Sequence, residues 1–272
     1  MRKVSGLLLL LLQLVAVISC VNTKIDSSEK KALNQEEEVK KPIFSLGLKT
    51  DPKTIAPADQ VRLFLEIKKN DGTVVDNFEV VHEKLMHLFV VSSDMEQFFH
   101  LHPEKQAGGT FIETASFPEG RYKAWAGVRP KGEGDLNLSA TFDVGHPFVR
   151  PNRLIADTIY IKEIDDTRVT LRLPSKEMKA GEAIMLNYVL TDPSTRRSIK
   201  DLEPFLGEMG HLMIISEDGN EFVHSHPMSS SEAEFGVVSF HVEFPRAGRY
   251  KAWAQFNKGG KILTTSFVLQ VG

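Results

Sequence analysis

Short runs of alternating apolar and polar residues recur along most of the chain. Val61–Ile67 (VRLFLEI) and Thr167–Leu173 (TRVTLRL) show this alternation, which is typical of β-strands that are buried on one face. Turn-forming pairs such as Asp71-Gly72 and Asp218-Gly219 separate the runs. No segment after the N-terminal apolar run has the period of a helix of four turns, so the pattern predicts an all-β fold.

The chain contains the same unit twice. HLFVVSSDMEQFFHLHP (His87–Pro103) returns without a gap as HLMIISEDGNEFVHSHP (His211–Pro227), and FPEGRYKAWA (Phe117–Ala126) returns as FPRAGRYKAWA (Phe244–Ala254). Each unit has about a hundred residues, an ordinary domain size, which indicates duplication of a domain. Evenly spaced strands in units of this length predict two tandem antiparallel β-sandwich domains.

Breaks in the pattern divide the chain into four segments. The two prolines and the glycine of Gly145–Arg153 interrupt the strand pattern between the repeats, as expected of a domain boundary. We assign residues 1–19 to a signal peptide, 20–41 to a flexible tether, 42–146 to the first sandwich and 152–272 to the second.

The N-terminus resembles the lipobox of bacterial lipoproteins. Arg2 and Lys3 precede an apolar run that ends in Val-Ile-Ser-Cys at Cys20. The resemblance implies cleavage before Cys20 and attachment of lipid, palmitate included, which anchors the protein to a membrane of the cell envelope facing the periplasm or the exterior. The alternatives are an ordinary signal peptide with an incidental cysteine, or an uncleaved anchor.

Charge and cysteine content narrow the function classes. Loss of Arg2 and Lys3 with the signal peptide changes the formal net charge from −3 to −5, and no basic face suggests nucleic acid as a partner. Because Cys20 is the only cysteine, no disulfide and no thiolate ligand remains for the sandwiches. Any metal site must therefore use other ligands.

Each repeat also contains a tyrosine shortly after a Phe-Pro pair and a glycine. Tyr122 and Tyr250 hold this position, which resembles the tyrosine corner of immunoglobulin-like sandwiches, where the hydroxyl bonds back to the preceding turn. Trp125 and Trp253 follow in the same strands, and we expect them to pack in the sandwich core or between sheets.

The repeated stretch predicts a β-hairpin in each copy. Asp218-Gly219 favours a two-residue turn, and the first copy takes the same register by repetition, with Asp94-Met95 at the tip. Because side chains alternate at period two, one face of each hairpin gathers three histidines at its open end. The expected pairs are Glu217 with Asn220, Ile215 with Phe222, Met213 with His224 and His211 with His226, and in the first copy Val91 with Phe98, Phe89 with His100 and His87 with His102.

Six of the nine histidines fall into these two triplets. The opposite face of the second hairpin carries two serines and a glutamate, so we expect it to be wetter, with the triplet at the rim of an apolar face. Three neutral imidazoles with an open fourth position suit zinc or copper, and nearby methionine sulfur favours Cu(I). The candidate ligands are His87, His100 and His102 in the first repeat and His211, His224 and His226 in the second, with Met209 and Met213 as additional candidates and Met86, Met95 and Met228 nearby.

The histidines also have interpretations other than metal binding. The triplets could tie the hairpin ends together by hydrogen bonds in a metal-free structural or protein-interaction module. His82 has Leu206 at its matching position and is either an accessory ligand or a solvent-facing strand end. His146 and His241 lie outside the pattern and are expected to be ordinary surface or strand residues.

The combination of H-L-x-[VI]-[VI]-S, F-x-H-x-H-P and F-P-x-G-x-Y resembles bacterial periplasmic proteins of the cupredoxin-like or YtkA-like type, over roughly residues 42–272. The resemblance implies metal handling by the six histidines, with copper ahead of zinc, for storage, delivery or sensing. It also implies an envelope protein that donates or accepts the metal. A type 1 copper centre needs a cysteine that the sandwiches lack, and none of the common hydrolase or nucleotide-binding motifs is present.

Overall fold

A computed structural model describes residues 43–148, 153–174, 177–227 and 235–272. Pro42–Gly272 forms one compact unit. The predictions for the signal peptide, Cys20, the tether and Met228 lie outside the described residues. Within the described ranges, no helix has both the length and the apolar character needed to cross a membrane.

The first repeat is a sandwich of two antiparallel sheets. One sheet has the order β1-β2-β7-β6; in the other, β8 pairs with β3, β4 and β9, and β5 pairs with β4. A single 3-10 turn at Ala107–Gly109 precedes β7. The strands are β1 (Phe44–Asp51), β2 (Gln60–Lys69), β3 (Phe78–Glu79), β4 (Met86–Ser92), β5 (Phe98–Leu101), β6 (Glu104–Lys105), β7 (Thr110–Ser116), β8 (Gly120–Pro130) and β9 (Leu136–Val144).

The second repeat has the same architecture. One sheet has the order β10-β11-β12-β16; in the other, β17 pairs with β13, β14 and β18, and β15 pairs with β14. Two tandem antiparallel β-sandwiches were predicted, and the fold confirms them. The strands are β10 (Ile161–Ile164), β11 (Thr167–Arg172), β12 (Ala183–Thr191), β13 (Leu202–Glu203), β14 (His211–Ser216), β15 (Phe222–Ser225), β16 (Val237–Glu243), β17 (Gly248–Lys258) and β18 (Lys261–Val271).

Each sandwich has its own core, built from the alternation seen in the sequence. Val61, Leu63, Leu65 and Ile67 of β2 are all fully buried in the first core, while the intervening residues face outward. The tyrosine corners are confirmed, because the Tyr122 hydroxyl donates to the Pro118 carbonyl at 2.9 Å and the Tyr250 hydroxyl donates to the Arg246 carbonyl at 2.8 Å.

A third apolar cluster joins the two repeats, and both tryptophans belong to it. Phe222 stacks on Trp125 with ring centroids 5.0 Å apart, and Phe98 stacks on Trp253 at 5.2 Å. The contact is therefore reciprocal, as in an isologous dimer interface. The tryptophans pack between the repeats rather than inside either sandwich.

Two lysines hold the hairpin tips across this interface. Lys123 Nζ donates to the Gly219 carbonyl at 2.6 Å, and Lys251 Nζ donates to the Met95 carbonyl at 2.7 Å. Gly219 and Met95 occupy matching turn positions in the two hairpins. The pair of contacts aligns the hairpins face to face, and this alignment places their open ends side by side.

Candidate metal centre

The predicted register of both hairpins is confirmed. In the second hairpin Met213 pairs with His224, and Ile215 pairs with Phe222. In the first, Phe89 pairs with His100 and Val91 with Phe98. Three histidines of each repeat therefore approach one another at the open end of its hairpin.

The turn that sets this register is longer than predicted. Ser216 N donates to the Glu221 carbonyl, and Gly219 N donates to the Ser216 carbonyl, so the loop has four residues around a β-turn. Glu217 does not pair with Asn220, because its amide donates to Arg249 O in β17. Gly219 has a φ of +68°, as expected for the glycine of the Asp-Gly pair, and the register outside the loop is unaffected.

The prediction that one hairpin face is wetter than the other was wrong. Every residue of β4 and of β14 is buried. Leu212 and Ile214 face the core of their own sandwich, whereas Met213 and Ile215 face the other repeat. The triplets consequently lie at the interface between the repeats, where His87 is 3% and His211 0% exposed and the other four histidines are half-buried.

The first triplet consists of His87, His100 and His102, whose facing nitrogens lie close together. His87 Nδ1 is 3.2 Å from His100 Nε2, and His102 Nε2 is 3.1 Å from His100 Nε2. A zinc- or copper-sized ion with metal–nitrogen bonds of about 2.0–2.1 Å requires ligand nitrogens about 3.3–3.5 Å from one another. The spacing is thus close to that of a metal-ligand set.

Hydrogen bonds on the far side of two of these rings determine which nitrogen has a free lone pair. His87 Nε2 donates to the Val81 carbonyl at 3.0 Å. His100 Nδ1 donates to Gln255 Oε1 at 2.8 Å, and the Gln255 amide nitrogen donates to Thr264 Oγ1, which orients the amide. In neutral imidazoles His87 Nδ1 and His100 Nε2 are therefore both unprotonated and face each other. Histidines that bind metal ions commonly donate the other ring N–H to an oxygen acceptor in this way.

The second triplet consists of His211, His224 and His226 and has the same arrangement of ligand atoms. His211 Nε2 donates to the Phe205 carbonyl at 2.7 Å, which leaves Nδ1 for a ligand. Among the described residues, His211 Nδ1, His224 Nε2 and His226 Nε2 are buried without a hydrogen-bond partner. One nitrogen from each ring lies within 4.8 Å of the other two in both triplets.

The local fold explains the carbonyls that orient His87 and His211. Val81–Lys84 and Phe205–Glu208 form matching tight turns, each closed by two backbone hydrogen bonds. The central residues of these turns have positive φ, with His82 at +47° and Gly207 at +78°. The turn geometry aims the carbonyl of the first turn residue, Val81 or Phe205, at the first histidine of each triplet.

Burial lowers the pKa of all six histidines. Desolvation is the largest cause for every one, and repulsion from neighbouring imidazoles adds to it. The pKa falls to about 4 for His102 and His211 and to about 3 for His226. At neutral pH the rings are uncharged, which is the form that binds metal ions.

The two triplets adjoin across the interface. The ring centroids of His100 and His211 are 5.5 Å apart, those of His87 and His224 are 5.9 Å apart, and those of His87 and His211 are 6.2 Å apart. The six histidines thus form one cluster made of two ligand sets. We call it the six-histidine cluster.

His82 contacts this cluster, so its placement at a solvent-facing strand end was wrong. Its ring lies 3.6 Å from that of His226, centroid to centroid, and its Nδ1 is 3.1 Å from Glu208 Oε1 in the other repeat. The tight turn carries the side chain across the interface. Sequence comparison of the repeats hides this contact, because Leu206 occupies the matching position.

The remaining candidates are distributed as follows. Met213 lies in the cluster between the repeats, while Met209 packs against the core of the second sandwich. His146 and His241 are exposed, as predicted. Sequence reasoning missed Gln255, although it stands where the first repeat has Gly127, and this difference immediately after the shared KAWA segment was the available signal.

The surroundings of the two triplets differ. A small pocket of about 170 Å³ borders the second triplet at His224 and His226, and its walls include His82, Asp135 and Asn137. Phe205 packs against both triplets, with its ring 5.3 Å from that of His211 and 6.0 Å from that of His100. The pocket is therefore a polar opening that places Asp135, ion-paired with Arg129, beside His224 and His226, and it also reaches His87 of the first triplet.

Fold and site together define a pair of β-sandwiches that share a buried histidine cluster. The chain belongs to the family DUF8832, a domain of unknown function, which matches residues 45–144 and 162–272. A comparison with curated proteins finds no match.

Among solved structures, the chain is similar in fold to two bacterial adhesins and a tenascin segment. FdeC of Escherichia coli is 12% identical, with 84% of this chain and 64% of that one covered and a TM-score of 0.27. The adhesin InvE of Yersinia pseudotuberculosis is 12% identical, with 83% and 59% covered and a TM-score of 0.25. Two fibronectin type III domains of chicken tenascin are 11% identical, with 83% and 98% covered and a TM-score of 0.23. The chain thus spans less than two thirds of either adhesin, and at these values the likeness concerns the fold alone.

Proposed function

We propose that this protein binds metal ions through the six-histidine cluster, one ion in each triplet, with copper preferred over zinc. The observation that carries the proposal is the pair of facing lone pairs on His87 Nδ1 and His100 Nε2, 3.2 Å apart. A proton between them is disfavoured, since burial lowers the pKa of both rings. A bound metal ion relieves the repulsion of the lone pairs and satisfies the partnerless nitrogens of the second triplet.

Ligand chemistry supports copper. Three imidazoles without a carboxylate suit Cu(I), which accepts trigonal coordination, and the soft sulfur of Met213 lies on the same strand face as His211. We interpret the role as storage, delivery or sensing of the metal. Anchoring through lipid on Cys20, a position in the cell envelope and the relationship to cupredoxin-like or YtkA-like proteins are part of this proposal. A partner protein that donates or accepts the ion completes it.

The experiment that tests the proposal is a titration of the purified protein with Cu(I) under anaerobic conditions against a competing chelator. We expect two ions per chain, and one ion per chain for His100→Ala/His102→Ala and for His224→Ala/His226→Ala. The double variant His146→Ala/His241→Ala removes two exposed histidines and is expected to retain both ions. Weak binding that neither cluster variant changes would refute the proposal in favour of a metal-free structural module.

A further inference from the structure

Both ligand sets of the six-histidine cluster are uncharged. The groups of described residues that can hold an ion contain histidines alone, with no carboxylate among them. The residues that would bind an ion directly therefore do not compensate its charge. Burial makes this important, because His87 and His211 have almost no exposed surface and charges interact more strongly away from water.

The second relevant feature is how near the two ligand sets are to each other. Rings of different triplets approach to 5.5 Å between the centroids of His100 and His211. Coulomb repulsion grows with the product of the charges, so two divalent ions repel each other four times as strongly as two monovalent ions at the same separation. Double occupancy is thus less favourable for divalent ions than for monovalent ions.

The third feature is an uneven distribution of charge around the cluster. The Lys84 ammonium acts on His87 and His102 of the first triplet. Asp135 instead lines the pocket beside His224 and His226, where it is ion-paired with Arg129 and still favours positive charge on His226. Glu208 lies on the same side, because its carboxylate contacts His82, whose ring is 3.6 Å from that of His226. A doubly charged ion is consequently more stable in the second triplet than in the first.

We propose that the cluster selects ions by charge: it takes two monovalent copper ions, one per triplet, but only one divalent ion, which the second triplet holds. This inference rests on the proposed function. In this proposal an ion in one triplet affects binding in the other, and the two triplets differ in their affinity for a divalent ion. Both differences arise although the repeats supply the same three histidines.

The test compares Zn(II) with Cu(I) in chelator competition on the same protein. We expect one tightly bound Zn(II) per chain and a second that binds at least about 100-fold more weakly, against two tightly bound Cu(I) ions. His100→Ala/His102→Ala should keep the tight Zn(II) site. His224→Ala/His226→Ala should weaken Zn(II) at least about 10-fold, and His146→Ala/His241→Ala should behave like the unchanged protein.

The outcomes separate the inference from the proposed function. Two Zn(II) ions of equal affinity, or tight Zn(II) binding that is lost with the first triplet instead of the second, would overturn charge selection while leaving metal binding intact. Failure to bind Cu(I) would overturn the proposed function, and the inference with it.

Discussion

His100 and Gln255 are separated by 155 residues in the chain, yet His100 Nδ1 donates a 2.8 Å hydrogen bond to Gln255 Oε1. The bond connects the first triplet to the second repeat and fixes the tautomer that directs His100 Nε2 toward its partner histidines. No reciprocal bond of this kind can form, since Gly127 occupies the matching position. Gln255 is therefore a positioning residue for the first triplet alone.

Replacing this glutamine tests that role. Gln255→Leu removes the acceptor, so we expect Cu(I) affinity of the first triplet to fall by about 10- to 100-fold while the second triplet is unaffected. The measurement is a competition titration in the His224→Ala/His226→Ala background, where only the first triplet remains, and in the His100→Ala/His102→Ala background, where only the second remains. Gln255→Glu keeps an acceptor oxygen and should retain most of the affinity. Equal losses in both triplets would show that Gln255 acts through general stability instead.

The partnerless nitrogen of His224 predicts that this residue lowers the stability of the metal-free protein, although it is needed to bind metal. Its Nε2 is buried without a hydrogen-bond partner among the described residues. His224→Leu replaces a desolvated polar ring by an apolar side chain of similar size, so we expect the metal-free protein to gain about 1–2 kcal/mol of unfolding free energy and to lose one Cu(I). Urea denaturation with a chelator present measures the gain.

His241→Leu is the matched control for that substitution, because His241 is exposed on β16. Its unfolding free energy should stay within about 0.5 kcal/mol of the original value. A loss of stability in His224→Leu beyond about 2 kcal/mol would instead favour a structural role for the imidazole.

The lowered pKa values predict that the metal-free protein loses stability in acid. The pKa of His211 is about 4 and that of His226 about 3 in the folded protein, compared with about 6.5 in an unfolded chain. Between these values the unfolded state binds more protons, so stability falls as the pH drops below about 6.5 and levels off below the folded pKa values.

The slope of the unfolding free energy against pH reports this loss. Each histidine that stays neutral in the folded protein contributes at most about 1.4 kcal/mol per pH unit to it. Denaturation in urea at pH 7.5, 6.5 and 5.5 with a chelator present measures it. His226→Gln should reduce the slope. A slope that is unchanged by His226→Gln would contradict the assignment.

The interface between the repeats predicts that they unfold together. Trp253 is 3% exposed and stacks on Phe98 of the other repeat. Trp253→Ala should cost about 3–5 kcal/mol and separate one cooperative unfolding transition into two. Calorimetry detects the split, and the fluorescence of Trp125 reports exposure of the interface. An unchanged single transition would contradict this view of the contact.

Much of the fold follows from local patterns that the sequence displays. Alternation in Val61–Ile67 predicts a half-buried strand, and the tyrosine corners at Tyr122 and Tyr250 were expected from their resemblance to those of immunoglobulin-like sandwiches. The hairpin register was predictable because the Asp218-Gly219 pair and the repeat of the stretch point to the same pairs. These features depend on neighbours in the chain or on one adjacent strand.

The meeting of the two triplets was not predictable in the same way. The alternation of side chains along a strand assigns His211 and Met213 to one face, but it does not predict what packs against that face. One signal was available: β14 is apolar on both faces (HLMII), which is typical of a strand buried on both sides. The contacts of Gln255 and His82 with the cluster depend on how one repeat packs against the other. The sequence pattern within a single repeat carries no information on that packing.

The most direct test of the account is a crystal structure of the copper-loaded protein with anomalous scattering measured at the copper edge. We predict two anomalous peaks within the six-histidine cluster. One should lie about 2.0 Å from His87 Nδ1, His100 Nε2 and His102 Nε2, and the other at the same distance from His211 Nδ1, His224 Nε2 and His226 Nε2. Copper bound only elsewhere on the protein, or six histidines that remain without a peak, would contradict the central claim.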